Sequence, residues 1–149
     1  MTNRIIPDIV SESAVHSISE KASVREAARL MTERHIGCLV ILSDGRLKGI
    51  LSERDIMTRV VSLGLDSDAV AVGEVMTTRV TTVAPDESSD QALMRMQEGG
   101  FRHLPIVKDG LVLGMLSVRD LYASALGACE LELKECEIYI QGETYGTAH

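Results

Sequence analysis

The sequence predicts an α/β (α+β) fold made of two copies of one strand-helix-strand-strand-helix unit, packed on each other with approximate twofold symmetry and followed by a C-terminal helical extension. Three observations predict it. The phrase GILSERDI at residues 49–56 returns as GMLSVRDL at 114–121, and residues 15–57 align with 80–122 without a gap. Capping-box pairs recur at matched places, Ser23 with Glu26 and Ser88 with Gln91. Each copy also carries an Asp-Gly pair between two apolar runs, a strong short-range hairpin signal. One copy is too small to bury much surface alone, so the two are expected to share a core.

Each unit opens on a short strand, VHSI at 15–18 or VTTV at 80–83. The helix after it starts at the serine cap and shows an apolar face at spacings of three and four, Ala27, Leu30 and Met31 in one copy and Ala92, Leu93 and Met96 in the other. A strand follows, CLVIL at 38–42 or LPIV at 104–107. The turn Asp44-Gly45 or Asp109-Gly110 leads to LKGIL at 47–51 or LVLGML at 111–116. The repeated phrase closes that strand and starts a second helix, about 53–63 and 118–128. These elements divide the chain into a first unit at 5–64, a second at 72–128, and a C-terminal helix and tail at 129–149. In the tail Leu126, Cys129, Leu133, Cys136 and Ile140 make a short heptad seam among glutamates. The seam is expected to pack on the module or on a second subunit, and QGETYGTAH at 141–149 to fray.

With 45% hydrophobic and 25% charged residues, the 149-residue chain reads as an ordered globular protein rather than a disordered one. Its apolar runs fall well short of the ~20 residues a membrane helix needs. Met1 to Val10 lacks the basic and apolar regions of a signal peptide, so the expected location is cytoplasmic. A net charge of -7 with one Phe, three Tyr and no Trp argues against nucleic acid, which wants cations and stacking faces. Cys38, Cys129 and Cys136 show no metal-ligand spacing and are read as reduced core thiols, with no metal expected. His16, His35, His103 and His149 form no readable triad. The chain also lacks a Walker lysine loop, GxSxG and HExxH, so no enzyme is expected.

The repeated phrase has two readings. Ser52 with Asp55, and Ser117 with Asp120, can serve as helix caps. The same turn presents unpaired N–H groups where phosphate binds, and a carboxylate there can accept both hydrogens of a ribose diol. Arg54 and Arg119 either add donors or project to solvent. A base would need a slot, and Ile18, Val83, Cys38, Val40, His103 and Pro105 sit on the strands that would line one; plain core is the alternative for Ile18, Val83 and Val40. Arg102 and His103 stand where Gly37 and Cys38 stand in the first copy, so the two clefts are expected to differ, one strong and one weak.

The element order, RHLPIV at 102–107, VGEVMTTRVTTVAPDES at 72–88 and the paired G-x-L-S-x-R-D phrases together resemble a tandem CBS-domain protein, or Bateman module, of the standalone type. The resemblance spans about residues 5–125. It implies two CBS units joined through their sheets, with two symmetry-related clefts that hold adenosine-containing ligands in many relatives. It further implies phosphate roles for Ser52 and Ser117, ribose roles for Asp55 and Asp120, and anion-binding roles for Arg102 and His103. A homodimer with helices at its interface is also implied. The expected function is a regulatory module that senses AMP, ADP or ATP, needs no cofactor and signals to a partner protein. The alternatives are a scaffold with vestigial clefts, or a sensor of S-adenosylmethionine or NAD(H).

Overall fold

Local chemistry sets where the helices begin and the hairpins turn. In this computed structural model, which describes residues 3–146 with side chains to Glu137, Ser23 Oγ accepts the Glu26 N–H at 3.1 Å. The Glu26 carboxylate accepts the Ser23 N–H at 3.3 Å, which starts α1 (Val24–Arg34). Ser88 and Gln91 start α4 (Ser89–Gly99) in the same way. Asp44, Gly45, Asp109 and Gly110 all have positive φ, the left-handed pair that a two-residue hairpin turn requires. These turns join β2 (Cys38–Ser43) to β3 (Arg46–Ser52) and β4 (His103–Lys108) to β5 (Leu111–Ser117).

The remaining elements are a short turn at Ile5–Ile9, β1 (Ser17–Ile18), α2 (Glu53–Ile56) continuing as a wider turn over Met57–Val61, α3 (Val72–Val75) and α5 (Val118–Gly146). The strands form one sheet in the order β1-β2-β3-β5-β4. The two hairpins share one register, with Cys38 opposite Ser52 and His103 opposite Ser117. They meet edge to edge at Arg46 and Leu111.

The repeat is imperfect at its first strand. Ile18 lies parallel to Ile41, and Val83 takes the same register beside Ile106, but as a lone bridge in place of the expected strand at 80–83. Pro105 supplies the reason. Its counterpart Val40 donates an N–H to the His16 carbonyl at 3.2 Å; proline has no N–H to offer Thr81, so the pairing stops after Val83.

Ala27, Met31, Leu39, Ile41 and Leu51 form the first core, and the matching Ala92, Met96, Leu104, Ile106 and Leu116 form the second. Each core is closed by the segment that leads into the other unit. Ile5 packs into the second core, and Val72 of α3 packs into the first; both are fully buried. The backbone follows the same exchange, with Ile5 N–H on the Glu87 carbonyl at 3.0 Å and Val72 N–H on the Ala22 carbonyl at 2.8 Å. Thr77 pairs both ways with Ile50 of β3. Gly49 permits that crossing, because a β-carbon there would stand 2.6 Å from Met76 Sδ and 3.0 Å from the Thr77 carbonyl oxygen.

At the C-terminus the expected second helix and tail helix are one continuous α5, since no proline interrupts 118–146. Every residue from Ala125 to Glu137 is exposed. The seam positions Leu126, Cys129, Leu133 and Cys136 therefore do not pack on the module, and Cys129 and Cys136 are not core thiols as expected. Among the described residues no element lies opposite them to bury them. The helix also runs to Gly146, through most of the stretch expected to fray; residues 147–149 and the side chain of Ile140 lie outside the described set. Among the described residues no helix is long and apolar enough to cross a membrane.

The exchanged closures predict shared stability. Ile5→Ala, which empties a fully buried site, should cost about 2–4 kcal/mol, and Val72→Ala somewhat less. In urea denaturation each variant should shift one transition of the whole chain, with fluorescence and circular dichroism probes coinciding, instead of melting one unit.

Candidate functional site

The repeated phrase forms its capping box in both copies. Ser52 N–H donates to Asp55 Oδ2 at 2.9 Å, and Asp55 N–H donates to Ser52 Oγ at 3.1 Å. In the second copy Ser117 N–H donates to Asp120 Oδ2 at 2.8 Å, and Asp120 N–H donates to Ser117 Oγ at 3.2 Å. The copies differ at the other carboxylate oxygen. Asp55 Oδ1 faces Arg59 Nη2 at 3.5 Å, and that arginine also donates to the Val75 carbonyl at 2.7 Å. Ser124 occupies the place of Arg59 in the second copy, and no described side chain bonds to Asp120 Oδ1.

Asp120 borders a cleft of about 820 Å³ between the two units. The first unit contributes Ser13–His16, His35 at the end of α1, Gly37, Cys38 and Glu53; the second contributes Arg102, His103, Ser117, Arg119 and Asp120. His35 holds a left-handed backbone, φ 55°, at the position where the second copy has Gly100 at φ 70°. That conformation is costly for a side-chain-bearing residue, and the residue that holds it lines the cleft.

The CBS domain family model matches residues 6–62 and 72–127. The chain belongs to the CBS-domain family. It is 32% identical over 125 residues to CBS domain-containing protein CBSX3, mitochondrial, of Arabidopsis thaliana, covering 80% of this chain and 61% of that relative. It spans only 21% of the longer CBSCBSPB3 from the same plant, at 36% identity over 76% of this chain. Among solved structures it is similar to the CBS-domain protein ATU1752 of Agrobacterium tumefaciens, at 29% identity and TM-score 0.72, with 77% of this chain and 86% of that one covered. A hexameric CBS-CP12 protein from bloom-forming cyanobacteria matches at 25% identity and TM-score 0.74, covering 82% and 71%. Tandem CBS domains are commonly regulatory and ligand-binding, and proteins of this type are generally non-catalytic.

Of the residues that the sequence singles out, the CBS pair brings Cys38, Arg102, His103, Ser117, Arg119 and Asp120 to this cleft. Ser52, Arg54 and Asp55 lie at the start of α2 and are not among its lining residues. Ile18 packs against the first core, Val40 and Pro105 are buried, and Val83 is buried in the second core. The backbone of Val83 is also occupied, its N–H on the Pro105 carbonyl and its carbonyl on the Val107 N–H.

Burial sets the protonation chemistry. Desolvation holds the His103 imidazole below its ordinary pKa; Glu53 and Asp120 oppose that shift, while Arg102 and Arg119 reinforce it. Burial pushes the Cys38 thiol up to about 12, helped by the nearby Asp55 charge. Sequence reasoning missed Glu53, His16 and His35. Glu53 stands inside the repeated phrase where the other copy has Val118, and His35 replaces a glycine at a left-handed position, so both were signalled as breaks in the repeat.

The three thiols should behave unequally. At pH 8 an aromatic disulfide reagent should titrate two of them in the native protein, the exposed Cys129 and Cys136, and reach buried Cys38 only after denaturation. The folded Cys38 ionises near 12 and the unfolded one near 9.0, so the unfolded state releases its proton first. Stability should therefore fall as pH rises above about 9, and less so in Cys38→Ala.

Proposed function

We propose that the cleft binds an adenosine-containing nucleotide, AMP, ADP or ATP, without a further cofactor, and that occupancy is passed to a partner protein. One observation carries the reading. Asp120 keeps one carboxylate oxygen open beside the N-terminus of α5, in a cleft that also holds Arg102, His103 and Arg119. A ribose diol suits the carboxylate, and a phosphate suits the helix start and the two guanidinium groups. The volume lies in the range of small-molecule sites. Asp55, already facing Arg59, makes the opposite turn the weaker reader. The same ribose contact would serve S-adenosylmethionine or NAD(H).

A homodimer fits the surface. Met57 and Val61 after α2, and Tyr122 and Leu126 on α5, are exposed apolar residues at matched positions of the repeat, two equivalent patches suited to a second copy. The hexameric cyanobacterial relative supports assembly beyond a monomer. We place the protein in the cytoplasm, where the three free thiols stay reduced. The exposed run of α5 favours a second reading, a scaffold whose helix carries the interaction.

Thermal unfolding against AMP, ADP, ATP, S-adenosylmethionine and NADH tests the two. A ligand at 100 times its Kd should add about 2.7 kcal/mol. Asp120→Asn, which keeps an oxygen for the Ser117 N–H, should weaken it about 10- to 100-fold while leaving the fold intact. No shift with any ligand, together with loss of the oligomer on deleting 129–149, would establish the scaffold.

A further inference from the structure

Glu53 is the first residue of α2, its N–H donating to the Gly37 carbonyl at 2.9 Å. Its side chain folds back over Gly37. A β-carbon placed on Gly37 would stand 3.2 Å from Glu53 Oε1 and 3.6 Å from His103 Cε1, so the bare glycine is what lets carboxylate and imidazole converge. In the repeat Glu53 corresponds to Val118, Gly37 to Arg102 and Cys38 to His103. One unit therefore brings a carboxylate to the basic end of the other.

The charges facing His103 come from several elements. Glu53 approaches from α2, Asp120 and Arg119 from the start of α5, and Arg102 from the residue before β4. His16 and His35 line the same cleft from the lead-in to β1 and the end of α1. Asp120 Oδ2 is held by Ser117 and its open Oδ1 is the ribose reader, while Glu53, with no bonded partner among the described residues, acts on His103 more strongly than Asp120 does. Arg102 and Arg119 both line the cleft and could receive a first phosphate. Each further phosphate adds negative charge with no further arginine or lysine among the described lining residues to receive it and with Glu53 in the same cleft.

We propose that Glu53 sets the phosphate count of the ligand, accepting one phosphate and weakening di- and triphosphates. This deepens the nucleotide reading of the cleft and rests on it. Because the cleft is open to water, the discrimination is moderate, about threefold for each added phosphate.

Calorimetric titration of the full chain with adenosine, AMP, ADP and ATP, in wild type and Glu53→Gln, tests it. In the wild type affinity should fall from AMP to ADP to ATP. In Glu53→Gln the affinity for ATP should rise about tenfold, AMP should change about twofold or less, and adenosine should not change. Arg102→Gln should weaken all three phosphates and spare adenosine. Nucleotide binding with the same AMP-to-ATP ratio in Glu53→Gln would overturn the role of Glu53 and leave the cleft reading standing. If none of the four binds the wild type, both fall.

Discussion

Everything in this molecule depends on the reciprocal closure of its two cores. Neither set of apolar side chains is covered by its own unit alone; Ile5 covers the second and Val72 covers the first. Burial of apolar surface is the main driving force for folding, so the chain gains most only when both exchanges are in place. The cleft follows from that arrangement. Ser13 is held on β5 through its N–H to the Leu113 carbonyl at 3.1 Å, and four residues later the same segment becomes β1 of the first unit. One stretch of chain crosses from one unit to the other and lines the cleft as it does so.

A strict duplication would give two equal turns facing two equal clefts. Chemical specialisation comes from the few places where the copies part. Arg59 occupies the spare oxygen of one aspartate, and Ser124 leaves the other free. Arginine in place of glycine adds positive charge at one end, while glutamate in place of valine brings a carboxylate toward His103. The fold supplies the symmetry, and function resides in its exceptions.

Most of the fold was legible because its signals are local. Caps at Ser23 and Ser88, left-handed Asp-Gly turns and the alternation of the hairpin strands each reside within a few residues. The exchange of Ile5 and Val72 was not legible, since a lone apolar residue carries no mark of which core it enters. Cys129 and Cys136 misled for the related reason that heptad spacing reports a face and not its partner. In the site, the Ser-x-x-Asp turns and the Arg102–His103 pair stood out by type and spacing. Glu53 did not, because an acidic residue in a first helical turn looks like ordinary compensation of the helix dipole.

One helix joins the Ser117–Asp120 turn to the exterior. α5 begins at the Ser117–Asp120 box and continues unbroken for 29 residues, roughly 40 Å at 1.5 Å per residue. Its first turn packs through Leu121 into the second core, while the stretch from Ala125 onward stands clear of the module. That geometry is a lever with its pivot at the cleft. A tilt of about 5° at the pivot carries the far end through roughly 3–4 Å, so a displacement too small to disturb the packing around the cleft becomes, at the tip, one that a neighbouring molecule can register.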